Sequence, residues 1–130
     1  MNPAYERPYR PSEITESIAR SFPLLSMADQ LLSEEVIENT GRNSLTLARG
    51  SDMTVVLLVL RDRAVLHEHK APGPITVTAL KGHIEFTAEG QSKAFSLHAG
   101  EAAVCAPHLP HSVKALEDSV FLLVIGGRME

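Results

Sequence analysis

In the stretch Val65-Leu66-His67-Glu68-His69-Lys70-Ala71-Pro72-Gly73-Pro74-Ile75-Thr76-Val77, two histidines stand two residues apart ahead of a Pro-Gly-Pro break. Side chains two apart on a strand share a face. A strand here therefore sends His67 and His69 the same way, with Val65, while Leu66, Glu68 and Lys70 point the other way. Two imidazoles so placed can both meet one ion. A third candidate, His111, lies downstream in Leu109-Pro110-His111-Ser112-Val113. Three neutral nitrogen ligands would leave coordination positions open for water or substrate, as catalytic metal sites require. The other reading of the same residues puts His67 and His69 on a solvated face near a strand end and makes His111 a turn residue packed against Pro110.

Outward from this stretch, short apolar runs follow one another, separated by turn signals such as Thr40-Gly41-Arg42-Asn43, Arg49-Gly50-Ser51-Asp52 and Glu89-Gly90. The pattern predicts an all-β barrel or sandwich with strands near 35–40, 43–49, 53–60, 64–69, 75–81, 83–89, 92–97, 101–105, 110–116 and 119–125. The runs at 53–60 and 120–125 are apolar on both alternating faces, so each needs cover on both sides, from the barrel core and from a helix or a second subunit. Before the strands, Ser12 is a plausible N-cap with Thr15 and Glu16 in the first turn. Ile14, Ile18 and Phe22 recur at helical spacing, and Pro23 should end or kink that helix. Residues 24–32 fit either a second short helical turn or a loop. The first eleven residues, with three prolines and two tyrosines, read as an arm that orders only where it docks. The expected organisation is one domain, with an arm and short helix over 1–34 and a β-barrel over 35–130.

Composition narrows the function classes. The 130 residues can bury a real core without staples. Net charge is −4 and the twelve Lys and Arg residues are scattered, so no basic stripe exists to meet a run of phosphates. Nucleic acid is not expected as a partner. The longest apolar run is far too short to cross a bilayer as a helix. A single cysteine, Cys105, and a polar N-terminus without an apolar leader point to a reducing cytoplasm.

The residues 65–113 resemble the two sequence motifs of the cupin superfamily. The first is a His-X-His with a downstream Gly, here His67, His69 and Gly82; the second is a Gly, a turn and a His, here Gly100 and His111. The run Ala71-Pro72-Gly73-Pro74-Ile75-Thr76-Val77 ahead of Lys81-Gly82-His83-Ile84-Glu85-Phe86 also resembles a group of small bacterial cupins. The resemblance implies a jelly-roll, or double-stranded β-helix, with a short N-terminal helical segment, and a divalent metal (Fe, Mn, Ni or Zn) on His67, His69 and His111. The chain departs from the pattern in places. Gly73, Pro74 and Ile75 fill the positions where cupins carry a further glutamate ligand, and Glu68 alternates away from the two histidines. Ala106, His108 and Ala115 stand where a Pro, a Gly and an Asn are usual.

His108 occupies a turn position that needs positive φ, which His tolerates. His83 should face solvent or a partner and His98 precedes a tight turn, so neither is a ligand candidate. Cys105 reads as a small buried hydrophobe with no cation beside it to lower its pKa. Ile75 and Val77 alternate toward the interior, which predicts an apolar pocket for a small molecule. No general base can be placed on that face. The favoured expectation is a metal-dependent enzyme of dioxygenase, isomerase or hydrolase type. The alternatives are a non-catalytic small-molecule-binding barrel, with or without metal, and a purely structural or storage-type barrel. A homodimer is expected from the doubly apolar strands, the arm and the resemblance.

Overall fold

The computed structural model of the chain describes residues 10–127 apart from residue 16. Residues 1–9 of the expected arm lie outside that description, as does Glu16. The elements in chain order are β1 (Ser12–Glu13), α1 (Leu24–Ser33), α2 (Val36–Thr40), β2 (Arg42–Arg49), β3 (Met53–Leu60), β4 (Val65–His69), β5 (Ile75–Lys81), β6 (His83–Ala88), β7 (Phe95–His98), β8 (Ala102–Cys105), β9 (His111–Ala115) and β10 (Ser119–Gly126). One six-stranded sheet runs β1-β2-β3-β10-β5-β8 and one four-stranded sheet runs β4-β9-β6-β7. From β3 onward the chain crosses between the sheets at almost every connection, which winds the two into a jelly-roll barrel.

The nine strands from β2 onward fall within a few residues of their expected places. Two sequence expectations fail at the N-terminal side. The described residues of the 12–22 stretch do not form a helix. Ser12 and Glu13 instead pair in parallel with Ala48 and Arg49 at the sheet edge, and Ile14 N–H donates to the Arg49 carbonyl at 2.9 Å. Pro23 starts a helix where it was expected to end one. Its fixed φ suits a helix start, and its carbonyl accepts the first bond, from Met27 N–H at 3.0 Å. The second failure is the strand expected at 35–40, which is the one-turn helix α2, closed by Gly41 at φ 75° with its N–H on the Ile37 carbonyl. Of the β-branched pair Val36-Ile37, only Ile37 is buried.

The strand that is apolar on both faces is covered twice, as expected. Val56, Leu58 and Leu60 of β3 face the barrel interior with Ile75, Val77, Phe86, Val113 and Phe121. Leu57 and Val59 face outward, where Met27, Ala28 and Leu31 of α1 cover them. Those three positions lie on one helix face, so the cover comes from this chain's own helix. No helix among the described residues is long and apolar enough to cross a membrane.

Candidate functional site

His69 and His111 meet at the end of the four-stranded sheet. β4 and β9 are antiparallel with His69 directly opposite His111, and the two rings stand 4.2 Å apart between centroids at 65° to one another. His111 Nδ1 donates to the Leu109 carbonyl at 2.9 Å and His69 Nδ1 to the His67 carbonyl at 2.8 Å. A carbonyl can only accept, so both rings carry their proton on Nδ1 and both keep the Nε2 lone pair. That tautomer and that outer partner are the ones that orient a metal-ligating imidazole. His111 is buried, and the Phe86 ring stacks on it at 5.6 Å. Burial pushes its pKa down, the Leu109 bond offsets part of this, and His69 adds to the lowering. The ring is therefore neutral at pH 7, the state a ligand needs.

The strand carrying the other histidine is irregular. Leu66 opposes Val113 and His69 opposes His111, so two residues of β4, His67 and Glu68, face a single one of β9, Ser112. This bulge breaks the alternation on which the sequence expectation rested. Val65 pairs with Lys114 on the outer side, and Leu66 joins the interior cluster on the His69 side. His67 is exposed. Among the described residues no group of three or more His, Cys, Asp or Glu side chains is gathered so that it could hold a metal ion. The structure thus brings together His69 and His111, and does not bring His67 to them.

The absent carboxylate has a packing reason. Gly73 is buried against β10, and a Cβ there would run into the Gly126 carbonyl. Pro74 continues the contact by accepting the Gly126 N–H at 2.8 Å. No side chain fits at 73, so no glutamate can stand there.

The remaining candidates fall as the sequence placed them. His108 is a turn residue at φ 63°. His83 and His98 form a stacked pair at 3.9 Å on neighbouring strands, with Ser96 Oγ on His83 Nε2 and Glu101 beside His98. Cys105 is buried, its thiol pKa raised by burial, with Sγ 4.0 Å from His111 Nδ1. Ile75 and Val77 do face the interior, where they are packed into the core. Sequence reasoning gave no role to Phe86, the ring beneath His111. Its signal was the inward alternation Ile84, Phe86, Ala88 leading toward the His111 partner position, since Ala88 opposes His111.

The two-sheet roll matches solved structures. A cupin superfamily protein from Desulfitobacterium hafniense superposes with a TM-score of 0.70 at 18% identity, over 91% of this chain and 98% of its own. A cupin 2 conserved barrel domain protein from Leptotrichia buccalis reaches 0.65 at 27% identity, over 76% of this chain and 45% of its own. This chain has the cupin fold. Among cupin folds the superposition also extends to a variant of salicylate 1,2-dioxygenase from Pseudoaminobacter salicylatoxidans, with a TM-score of 0.68 at 14% identity, over 78% of this chain and 33% of its own. That likeness is one of fold. No protein-family model matches the chain, and no curated protein matches its sequence.

Proposed function

We propose that this cupin is a metal-dependent enzyme of dioxygenase, isomerase or hydrolase type acting on a small organic molecule. His69 and His111 hold a divalent ion there and His67 turns in from the bulge as the third ligand. The observation that carries the reading is the facing imidazole pair, each with Nδ1 committed to a carbonyl and Nε2 left as the donor. The donor set fits iron, manganese, nickel or zinc, all of which accept imidazole. Bound by neutral ligands alone, such an ion supplies a Lewis acid of full charge with open positions. The chain's own part is positional. Phe86 and the Leu109 carbonyl fix the plane and tautomer of His111, and the packed interior keeps water from its buried side.

A second reading is favoured by one observation: Gly73 excludes the usual carboxylate and His67 stands apart. Under it the barrel binds a small molecule without catalysis. Elemental analysis by mass spectrometry on tag-free protein separates the two. Near-stoichiometric metal that is lost in His69→Ala and His111→Ala supports the enzyme reading; no metal in any sample after reconstitution supports the binding module.

The same proposal includes a homodimer in the cytoplasm. The free-edge strand β8, with Val104 74% exposed on it, supports the first part. The lone reduced cysteine supports the second. Light scattering on a size-exclusion column showing a monomer at micromolar concentration would count against the dimer.

A further inference from the structure

The inner surface of the six-stranded sheet is apolar on β3, β10 and β5, and polar on β2. Arg42 opposes Leu60, Ser44 opposes Leu58 and Thr46 opposes Val56, and all three of those partners belong to the interior cluster. Directly opposed residues share a face, so Arg42, Ser44 and Thr46 stand on the inner side. Leu45 and Leu57, the intervening pair, go to the outer cluster under α1.

A polar row beside a sheet edge commonly serves only to keep the edge in water. This row differs in what it faces. Across the gap between the sheets lies β4, the strand that carries His67 and His69. Arg42 Nη1 reaches the Val65 carbonyl there at 3.4 Å. The gap is a cleft of about 270 Å³, floored by Leu58, Leu60 and Leu66, with Arg42 and Ser44 on its rim. Leu66 is three residues from His69 and, because of the bulge, on the same side of β4. The cleft therefore shares with the imidazole pair the inner face of β4, three residues along the strand from His69.

We propose that this cleft is the substrate subsite and that it takes a small monocarboxylate with an apolar body. The carboxylate would pair with the Arg42 guanidinium, and the body would lie on Leu58 and Leu66 toward His69. The inference rests on the functional reading above. Among the described residues Arg42 is the one charged side chain lining the cleft, so a single negative charge is matched and a second would be left without a partner. A guanidinium presents paired donors in the geometry of a carboxylate. The volume is below the usual range for drug-sized ligands, about 300–1,000 Å³, which restricts the occupant to a small molecule.

The test is an NMR titration of metal-stripped protein with sodium hexanoate and, in parallel, with neutral hexanamide. Hexanoate should saturably shift the Ser44 and Leu66 amides and the Arg42 Nε–H, with hexanamide binding at least about tenfold more weakly. Arg42→Gln should bring hexanoate down to the hexanamide level while leaving metal content unchanged, and Arg42→Lys should recover part of the difference. Equal binding of the two probes, no saturable shift, or hexanoate binding untouched by Arg42→Gln overturns the subsite. Because the titration needs no metal, a subsite that holds in a protein never found with metal would sink only the metalloenzyme reading. Metal found without hexanoate binding would sink only the subsite.

Discussion

His69 and His111 oppose one another across β4 and β9 with their rings 4.2 Å apart, yet their surroundings differ sharply. His111 is 4% exposed and stacked on Phe86, whereas His69 is open to solvent. The pair is therefore anchored from the His111 side. His111→Ala should cost about 2 kcal/mol in metal-free protein, through lost packing on Phe86 and an orphaned Leu109 carbonyl. His67→Ala, an exposed change, should stay within about 0.5 kcal/mol. Urea unfolding followed by circular dichroism checks both, and equal losses would contradict the anchoring.

The same burial makes stability depend on pH. His111 is held below its ordinary value near 6.5, chiefly by burial. Between the folded and unfolded values the unfolded chain binds the extra proton, so stability is complete above about pH 6.5 and declines as pH falls below it. The urea midpoint of metal-free protein should drop between about pH 7.5 and 5.5, and His111→Gln should flatten that segment of the profile. A profile that rises toward acid would show that burial does not govern this ring.

Gly73 gives a prediction in the covalent geometry of the barrel. A Cβ at this position meets the Gly126 carbonyl, and the backbone on both sides is tied, since Gly126 N–H donates to the Pro74 carbonyl. Gly73→Ala should therefore destabilise the fold by about 2 kcal/mol or more, among the larger single-residue effects. Gly73→Glu, which would restore the carboxylate of the family pattern, should be worse and should not raise metal content. A stable Gly73→Ala protein would mean that the end of β10 yields easily.

The contrast between β3 and β4 shows what was legible in the sequence. β3 was readable because the run of six apolar residues from Val55 to Leu60 announces cover on both faces, and α1 supplies one side of it. β4 was readable as a strand, but its bulge was not. Nothing in Leu66-His67-Glu68-His69 signals that two residues will face Ser112, because that count is set by how β9 lines up after the Pro110 turn. The site inherits this. His69 and His111 could be paired from motif spacing, while the direction of His67 depended on a register that only tertiary pairing decides. Likewise Pro23 was read as a stop, when the chain uses it as a start, because residues 12–14 are claimed by the edge of β2. Arg42 was passed over because it was read within the turn signal Thr40-Gly41-Arg42-Asn43, ahead of the expected strand, whereas it begins β2.

Leu31 separates the outer cover from the site. It is fully buried between α1 and the outer face of β3, in the cluster with Met27, Leu57 and Val59 and outside the one that holds Phe86 and Val113. Leu31→Ala should cost about 2–5 kcal/mol by lost transfer energy and cavity formation. Metal content and the hexanoate affinity of the folded fraction should not change, because the sheet lies between. Calorimetry with parallel elemental analysis tests this, and a loss of metal in still-folded Leu31→Ala protein would show that the helix positions the histidines.

Cys105 tests whether the interior behind His111 is closed. Its Sγ lies 3.9 Å from the Leu109 carbonyl and 4.0 Å from His111 Nδ1, and burial raises its pKa, so the thiolate fraction at neutral pH is smaller than that of a free cysteine. Both access and ionisation oppose reaction. A thiol reagent such as 5,5′-dithiobis(2-nitrobenzoate) at about pH 8 should label the native protein only at the rate at which it opens, and label it completely in urea. His111→Ala removes one wall of this space, so the same reagent should react measurably faster with that variant while it remains folded. Rapid labelling of the native wild type would mean that solvent reaches the buried side of His111, and would remove the packing argument for its neutral state.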